Sequence, residues 1–120
     1  MPEERRQFVR VPSRFTLSYT IVESKKIGKS LTVDLGSGGV RFVAEHPLAV
    51  GALLAVVLRI PDREEPIRFI GKVVWGRPAH HTDPSLPERG TEVGVVFVEI
   101  DSKDRAFLLQ HAALYAPPPA

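Results

Sequence analysis

Three arginines and a short glycine-rich segment are the residues of this chain whose types and spacing could do chemistry. Arg5, Arg6 and Arg10 lie in the N-terminal run Arg-Arg-Gln-Phe-Val-Arg. A guanidinium group binds phosphate oxygens through two parallel hydrogen bonds, and its flat face can stack on a base. Because Arg6 and Arg10 are four residues apart, a helical turn or a folded-back loop would bring both to one ligand. A solvated basic terminus is the alternative, although Phe8 and Val11 are apolar residues that would anchor the segment to a core.

The glycine-rich segment, residues 34–39, reads Asp-Leu-Gly-Ser-Gly-Gly. Glycine tolerates positive φ and lets a ligand approach the backbone closely. The carboxylate of Asp34 can accept two hydrogen bonds from the N1 and N2 edge of guanine, which favours a phosphorylated ligand with a guanine base. An ordinary tight turn with an Asx hydrogen bond is the open alternative. The segment is neither a P-loop nor a dinucleotide-binding fingerprint, because no Lys-Ser follows it and no helix is predicted after it.

Six strands and one helix are predicted to position these segments. Period-two alternation, or a β-branched apolar run between turn residues, indicates each strand. The predicted strands are 15–22, 29–33, 40–43, 53–60, 67–75 and 91–99, and a helix follows the capping residue Asp101. This order predicts a mainly all-β fold, a six-stranded antiparallel barrel with a C-terminal α-helix closing one end.

Length and composition fit one domain. The 120 residues are 43% hydrophobic and 25% charged, and we divide them into an arginine-bearing segment at 1–14, the barrel and helix at 15–116, and a proline-rich tail at 117–120. The net charge of +2 is too small to predict binding to a nucleic-acid polymer. The longest apolar run, residues 52–58, is too short to span a bilayer, so no membrane insertion and a cytoplasmic location are expected.

Residue types that could support catalysis or bind metal are not arranged to do so. The chain has no cysteine, which excludes disulfides, thiolate nucleophiles and cysteine-ligated metals. His80, His81 and Asp83 fall in a proline-rich segment, where adjacent residues seldom converge on one ion. His46 and His111 are isolated from any nucleophile. We therefore expect neither an enzyme nor a cofactor.

Together the two motifs resemble those of the PilZ domain. Its paired signature is Arg-x-x-x-Arg near the N-terminus and Asp/Asn-x-Ser-x-x-Gly one strand further on. Arg6, Arg10, Asp34 and Gly39 occupy the matching positions. Later features also match in order and spacing, including a strand that ends at Trp75 and the closing helix, so the resemblance covers nearly the whole chain.

PilZ domains are six-stranded barrels that act as receptors for the bacterial second messenger cyclic di-GMP, and the resemblance implies the same ligand here. It implies that Arg6 and Arg10 grip phosphate and stack on guanine, that Asp34 reads a guanine edge, and that Gly39 lets the backbone approach the ligand. Arg5, directly before the motif, implies an intercalated ligand dimer, or two cyclic di-GMP molecules per chain.

Three further positions are predicted to contact the ligand. Trp75 lies where some family members present an aromatic ring, although a half-buried core tryptophan is an equal alternative. The family serine falls at Gly36, which has no hydroxyl, and Ser37 comes one residue late, on the opposite side of a continuing strand. We expect one ligand hydrogen bond to be lost at Gly36 unless Ser37 or water substitutes.

The resemblance predicts a function outside catalysis. Because the chain shows no output domain, we expect a stand-alone receptor that signals in trans to an unidentified effector protein, in motility, exopolysaccharide production or a similar surface behaviour. The alternative is a degenerate PilZ-like protein-interaction module that does not bind cyclic di-GMP, and Gly36 is the observation that motivates it.

Overall fold

Antiparallel strands make up most of the chain. The structure is a computed structural model that describes residues 10–12, 15–36, 38–61, 63–79 and 90–115, with the description of 10–12 and 111–115 confined to the backbone. The strands are β1 (Arg10–Pro12), β2 (Thr16–Ile21), β3 (Ile27–Gly36), β4 (Gly39–Ala44), β5 (Leu53–Arg59), β6 (Ile67–Pro78) and β7 (Thr91–Ile100), and the helix is α1 (Ser102–Tyr115).

Strands β2 to β7 close into a barrel. They follow the order β3-β2-β5-β6-β7-β4, and pairing of β3 with β4 completes the ring. Every pairing is antiparallel. Closure leaves the ring no unpaired sheet edge to template aggregation. The predicted six-stranded antiparallel barrel with a C-terminal helix is therefore confirmed.

One additional strand lies along the barrel. β1 pairs with the C-terminal half of β3, where β4 already occupies the other edge. β1 must therefore use the same edge of β3 that β2 occupies further along. The expectation that Arg10 lies in a helical turn or a folded-back loop is wrong, because β3 continues to Gly36 and offers a backbone edge with which this segment pairs.

The core fills the inside of the barrel with alternate residues of its strands. Tyr19 and Phe42 are the largest fully buried side chains, and their rings lie 5.5 Å apart. The core also includes Leu17, Leu35, Val40, Leu54, Val56, Leu58, Ile67, Val73 and Val93. Helix α1 packs against β1 and β3 and adds Leu108, which is fully buried. The helix thus lies beside the end of β3 that carries the glycine-rich segment.

The start of α1 is fixed by a side-chain cap and an ion pair. The backbone N–H of Lys103 donates to the Oδ1 atom of Asp101 at 2.8 Å, which confirms the predicted cap. Asp104 in the first turn pairs with Arg63 of the β5–β6 connection. The only helix in the described part of the chain is too short and too polar to cross a membrane.

The ring of Tyr19 reaches through the core to the end of β4. Its hydroxyl lies 2.9 Å from the Nδ1 atom of His46, so His46 is a packed and hydrogen-bonded side chain. Gly28 makes room for the ring, because a Cβ atom there would lie 2.3 Å from the phenol oxygen. Burial raises the pKa of Tyr19 above its ordinary value of 10.0.

Replacing Tyr19 with phenylalanine should remove part of the alkaline loss of stability. Because the pKa of folded Tyr19 is raised above 10.0, the unfolded chain releases this proton first as the pH rises past that value. The protonated Tyr19 therefore contributes fully to the free energy of unfolding below this pH, and its contribution is lost as the pH rises above it. Urea titrations at pH values on either side of 10.0 should show that the free energy of unfolding falls less with rising pH in Tyr19→Phe than in wild type. Tyr115→Phe keeps Tyr19 and should retain the wild-type slope; equal slopes in all three proteins would refute the assignment.

Candidate functional site

A row of residues crosses the outer face of the barrel. Asp34 on β3 lies opposite Arg41 on β4, Arg41 lies opposite Gly94 on β7, and Gly94 lies opposite Trp75 on β6. Directly paired residues on neighbouring strands share one face of a sheet. The next row in β3, β4 and β7 is buried in the barrel core, so this row faces outward. Two of the predicted ligand contacts, Asp34 and Trp75, therefore lie on one surface.

Strand β1 brings the arginine segment beside this row. Pro12 lies opposite Asp34, and Arg10 lies opposite Gly36. Two motifs more than twenty residues apart in sequence are thus aligned by backbone pairing. Arg5 and Arg6 lie outside the described residues, and Arg10 is located by its backbone.

Ion pairs link four side chains along the outward surface. The Nη2 atom of Arg41 lies 2.8 Å from the Oδ2 atom of Asp34, and its Nη1 atom lies 3.4 Å from Glu92. Glu92 also accepts a 2.6 Å hydrogen bond from the Nε atom of Arg77. The guanidinium carbon of Arg77 lies 5.3 Å from the ring centroid of Trp75. The chain of contacts therefore runs from the carboxylate predicted to read guanine to the predicted stacking ring.

Asp34 is a nearly buried carboxylate that pairs with Arg41. Asp34 is 8% exposed, and a carboxylate removed from water is costly unless it is paired and hydrogen-bonded. Arg41 supplies that pair. The other ion pairs are partly exposed and contribute about 0–1 kcal/mol each to stability. Their larger physical effect is to fix the directions of the side chains that they join.

Two glycines lie at positions where a side chain would overlap a neighbouring group. A Cβ atom at Gly94 would lie 2.1 Å from the Nε1 atom of Trp75, so the indole occupies the space that a side chain would fill. A Cβ atom at Gly39 would lie 2.1 Å from the carbonyl oxygen of Val95. Neither glycine has positive φ. The missing side chain of Gly39 lets β4 pass close to β7, and the predicted approach of a ligand to its backbone stays a prediction.

The glycine-rich turn itself is short. β3 ends at Gly36 and β4 begins at Gly39, which leaves two residues between them. The carbonyl of Gly38 accepts a 3.1 Å hydrogen bond from the N–H of Phe97, so the turn is tied to β7. Gly36 lies at the end of β3 and is buried. Ser37, the proposed substitute hydroxyl, lies outside the described residues.

Trp75 lies within β6, because this strand continues to Pro78. Its ring is partly exposed on the outer face and does not belong to the hydrophobic core. The strand end predicted at Trp75 is therefore wrong, since β7 supplies pairing partners for three more residues. Contact of the ring with a ligand stays a prediction.

Sequence reasoning missed Arg41, Glu92 and Arg77. The hairpin register that pairs Leu35 with Val40 also pairs Asp34 with Arg41, so the spacing of the turn was the available signal for Arg41. The pairing of Arg77 with Glu92 has no such signal, because the predicted strand 67–75 ends before Arg77. Within the described ranges, no group of three side chains could hold a metal ion. His80, His81 and Asp83 fall outside those ranges.

Comparisons with known proteins agree on one family. The family model of the PilZ domain matches residues 4–114. The structure of the Bacillus subtilis inhibitor of motility, MotI/DgrA, superposes with a TM-score of 0.71 at 22% identity, covering 92% of this chain and 50% of that one. The PilZ domain of Escherichia coli YcgR with c-di-GMP gives a TM-score of 0.72 at 14% identity, covering 92% of this chain and 91% of that domain.

This chain therefore spans half the length of the B. subtilis protein and nearly all of the E. coli domain. Likeness at these identities shows a shared fold. A comparison with curated protein sequences finds no significant match. PilZ domains are receptor and regulatory modules.

Replacing Gly94 with alanine should displace the indole of Trp75. The added methyl group would overlap the ring, so the ring must turn away from β7 towards solvent. Trp75 is the single tryptophan of the chain, and its emission should shift to longer wavelength with stronger quenching by acrylamide.

Gly76→Ala is the matched control for this variant. Its Cβ atom would lie 3.3 Å from the Cγ2 atom of Thr91, which requires a small adjustment away from the ring. Gly76→Ala should keep the wild-type spectrum. If Gly94→Ala keeps it as well, the proposed packing of Trp75 over β7 is wrong.

Proposed function

The chain belongs to the PilZ domain family, and we propose that it is a receptor that binds cyclic di-GMP and transmits the binding to a protein partner. The family match over residues 4–114 supports this proposal. A PilZ domain of the same fold is described with c-di-GMP. Both motifs that the family signature requires are present, apart from the serine.

The observation that carries the proposal is the pairing of β1 with β3. It sets Arg10 opposite Gly36 and Pro12 opposite Asp34. A ligand with phosphates and guanine bases needs cationic donors and a carboxylate acceptor within one molecule's span. The pairing of the two strands brings the backbone positions of these groups together.

Each predicted contact has a distinct chemical role in this proposal. Arg6 and Arg10 bind phosphate oxygens and stack on guanine, and Arg5 recruits a second ligand molecule, giving two per chain. Asp34 accepts hydrogen bonds from the N1 and N2 edge of one guanine. Trp75 offers a partly exposed ring for stacking.

Gly39 and the turn before it complete the site as backbone. A glycine-rich turn can offer N–H groups to a ligand and let it approach the backbone closely. Ligand binding can order the arginine segment against the barrel only by favouring that ordered state. The altered surface then acts on a partner, and the motility function named for the B. subtilis protein suggests the kind of process involved.

Gly36 favours a second candidate, a PilZ module that docks on proteins without binding the nucleotide. A lost hydrogen bond to a polar ligand group costs about 1–3 kcal/mol, or roughly a tenfold to hundredfold loss of affinity. A site with several arginines and one carboxylate can tolerate that loss. We therefore favour a receptor of reduced affinity over a docking module.

Calorimetric titration with cyclic di-GMP tests the proposed function. We expect saturable binding near two ligands per chain, with GTP as the control for general attraction to arginine. Arg6→Ala combined with Arg10→Ala should abolish binding and leave the unfolding transition unchanged. The absence of heat for wild type up to high micromolar ligand would refute the receptor function and favour the docking module.

Restoring the family serine tests the role of Gly36. Gly36→Ser should tighten binding about tenfold or more, because the new hydroxyl supplies the missing hydrogen bond. Gly76→Ser, which adds the same side chain to β6, is the control and should leave the affinity unchanged. A Gly36→Ser protein that binds no more tightly than wild type would show that the hydroxyl is not what limits affinity.

A further inference from the structure

We infer that Arg41 and Glu92 are positioning residues for cyclic di-GMP: together they hold Asp34 and, through Arg77, the ring of Trp75. This inference rests on the proposed function and adds residues that the family signature does not contain. Its evidence is the chain of ion pairs on the outer face of β3, β4, β7 and β6.

The register of the sheet explains how the two residues reach both ends of the site. Arg41 lies between Asp34 on one neighbouring strand and Gly94 on the other. Gly94 has no side chain that could contact Arg41. The guanidinium of Arg41 instead contacts the carboxylate of Glu92, which lies two residues before Gly94 in β7. Diagonal neighbours of this kind are within reach of a long side chain.

Arg41 is committed to these carboxylates. One terminal nitrogen lies on Asp34 and the other on Glu92. Its Nε atom is buried without a hydrogen-bond partner, and its side chain is 27% exposed. The guanidinium is planar, so two contacts from its ends fix its orientation. Arg41 thereby holds the Asp34 carboxylate in a set direction on the outer face.

Glu92 in turn fixes the position of Arg77 beside the ring of Trp75. Its two oxygens receive different arginines, Arg41 on Oε2 and Arg77 on Oε1. Arg77 is 60% exposed, so its side chain would move freely without this anchor. Held by Glu92, its guanidinium lies 5.3 Å from the ring centroid of Trp75, within the range of a cation–π interaction.

The two ends of the site are therefore mechanically coupled. Asp34 is predicted to bind the edge of a guanine and Trp75 the face of one. Loss of the Glu92 carboxylate removes one of the two anchors of Arg41 and the carboxylate that anchors Arg77, so both contacts become less ordered. A ligand would then have to order them on binding, which lowers affinity.

A double-mutant cycle on Asp34 and Glu92 tests this coupling by calorimetry with cyclic di-GMP. Glu92→Gln should weaken binding about tenfold, although it lies outside the predicted contacts. Adding Glu92→Gln to Asp34→Asn should weaken it much less than the single change does, because the carboxylate it positions is already gone. Glu99→Gln, an exposed carboxylate on the same strand, is the control and should bind as wild type. Full additivity would overturn the inference.

Acrylamide quenching of Trp75 separates failure of this inference from failure of the receptor function. In ligand-free protein, Glu92→Gln and Arg77→Lys should both raise quenching, whereas Glu99→Gln should not. Lysine keeps the charge of Arg77 but loses its planar fork, and this exposed position tolerates the change without unfolding. If wild type binds no cyclic di-GMP, the receptor function fails while the quenching still decides whether Glu92 positions the ring. Wild-type quenching in both variants overturns the positioning role.

Discussion

Backbone pairing between β1 and β3 places Arg10 beside Gly36 and Pro12 beside Asp34, and the proposed site depends on it. β2 follows this segment in the chain and pairs with the same edge of β3 further along. Helix α1 packs against both β1 and β3. The buried side chain of Leu108 belongs to the core, so the helix that contacts β1 is anchored to the barrel.

The two faces of the barrel have different tasks: the inner face stabilises the fold, and the outer face carries the proposed site. Inward positions carry the aliphatic and aromatic side chains of the core, and the outward row carries Asp34, Arg41 and Trp75. Glycines lie where strands or rings come closest, as at Gly39 and Gly94. At both positions a side chain would overlap a neighbouring strand or ring. The close packing of strands in the barrel therefore also determines the shape of the outer surface.

Much of the fold could be predicted from sequence, since it rests on local patterns. Leu17 and Tyr19 alternate with polar residues, and this period of two identifies a half-buried strand. β1 could not be found in this way, because three residues ending in proline carry no period and form a strand only through their partner. The same applies to the end of β6, where pairing with β7 overrides a proline-rich sequence. Asp34 could be proposed from sequence because its carboxylate chemistry is local, whereas the proposed role of Glu92 depends on strands that only the fold brings together.

The most direct test of the account is an amide NMR titration of the isotope-labelled protein with cyclic di-GMP. The account predicts that the Trp75 indole N–H and the amides of Asp34, Gly39 and Gly94 shift together and saturate at one ligand concentration. The amides of Ile27 and Val50, which are exposed and lie away from the outward row, should stay in place. Shifts confined to other faces of the barrel, or no shifts at all, would contradict a cyclic di-GMP site across β1, β3, β4, β7 and β6.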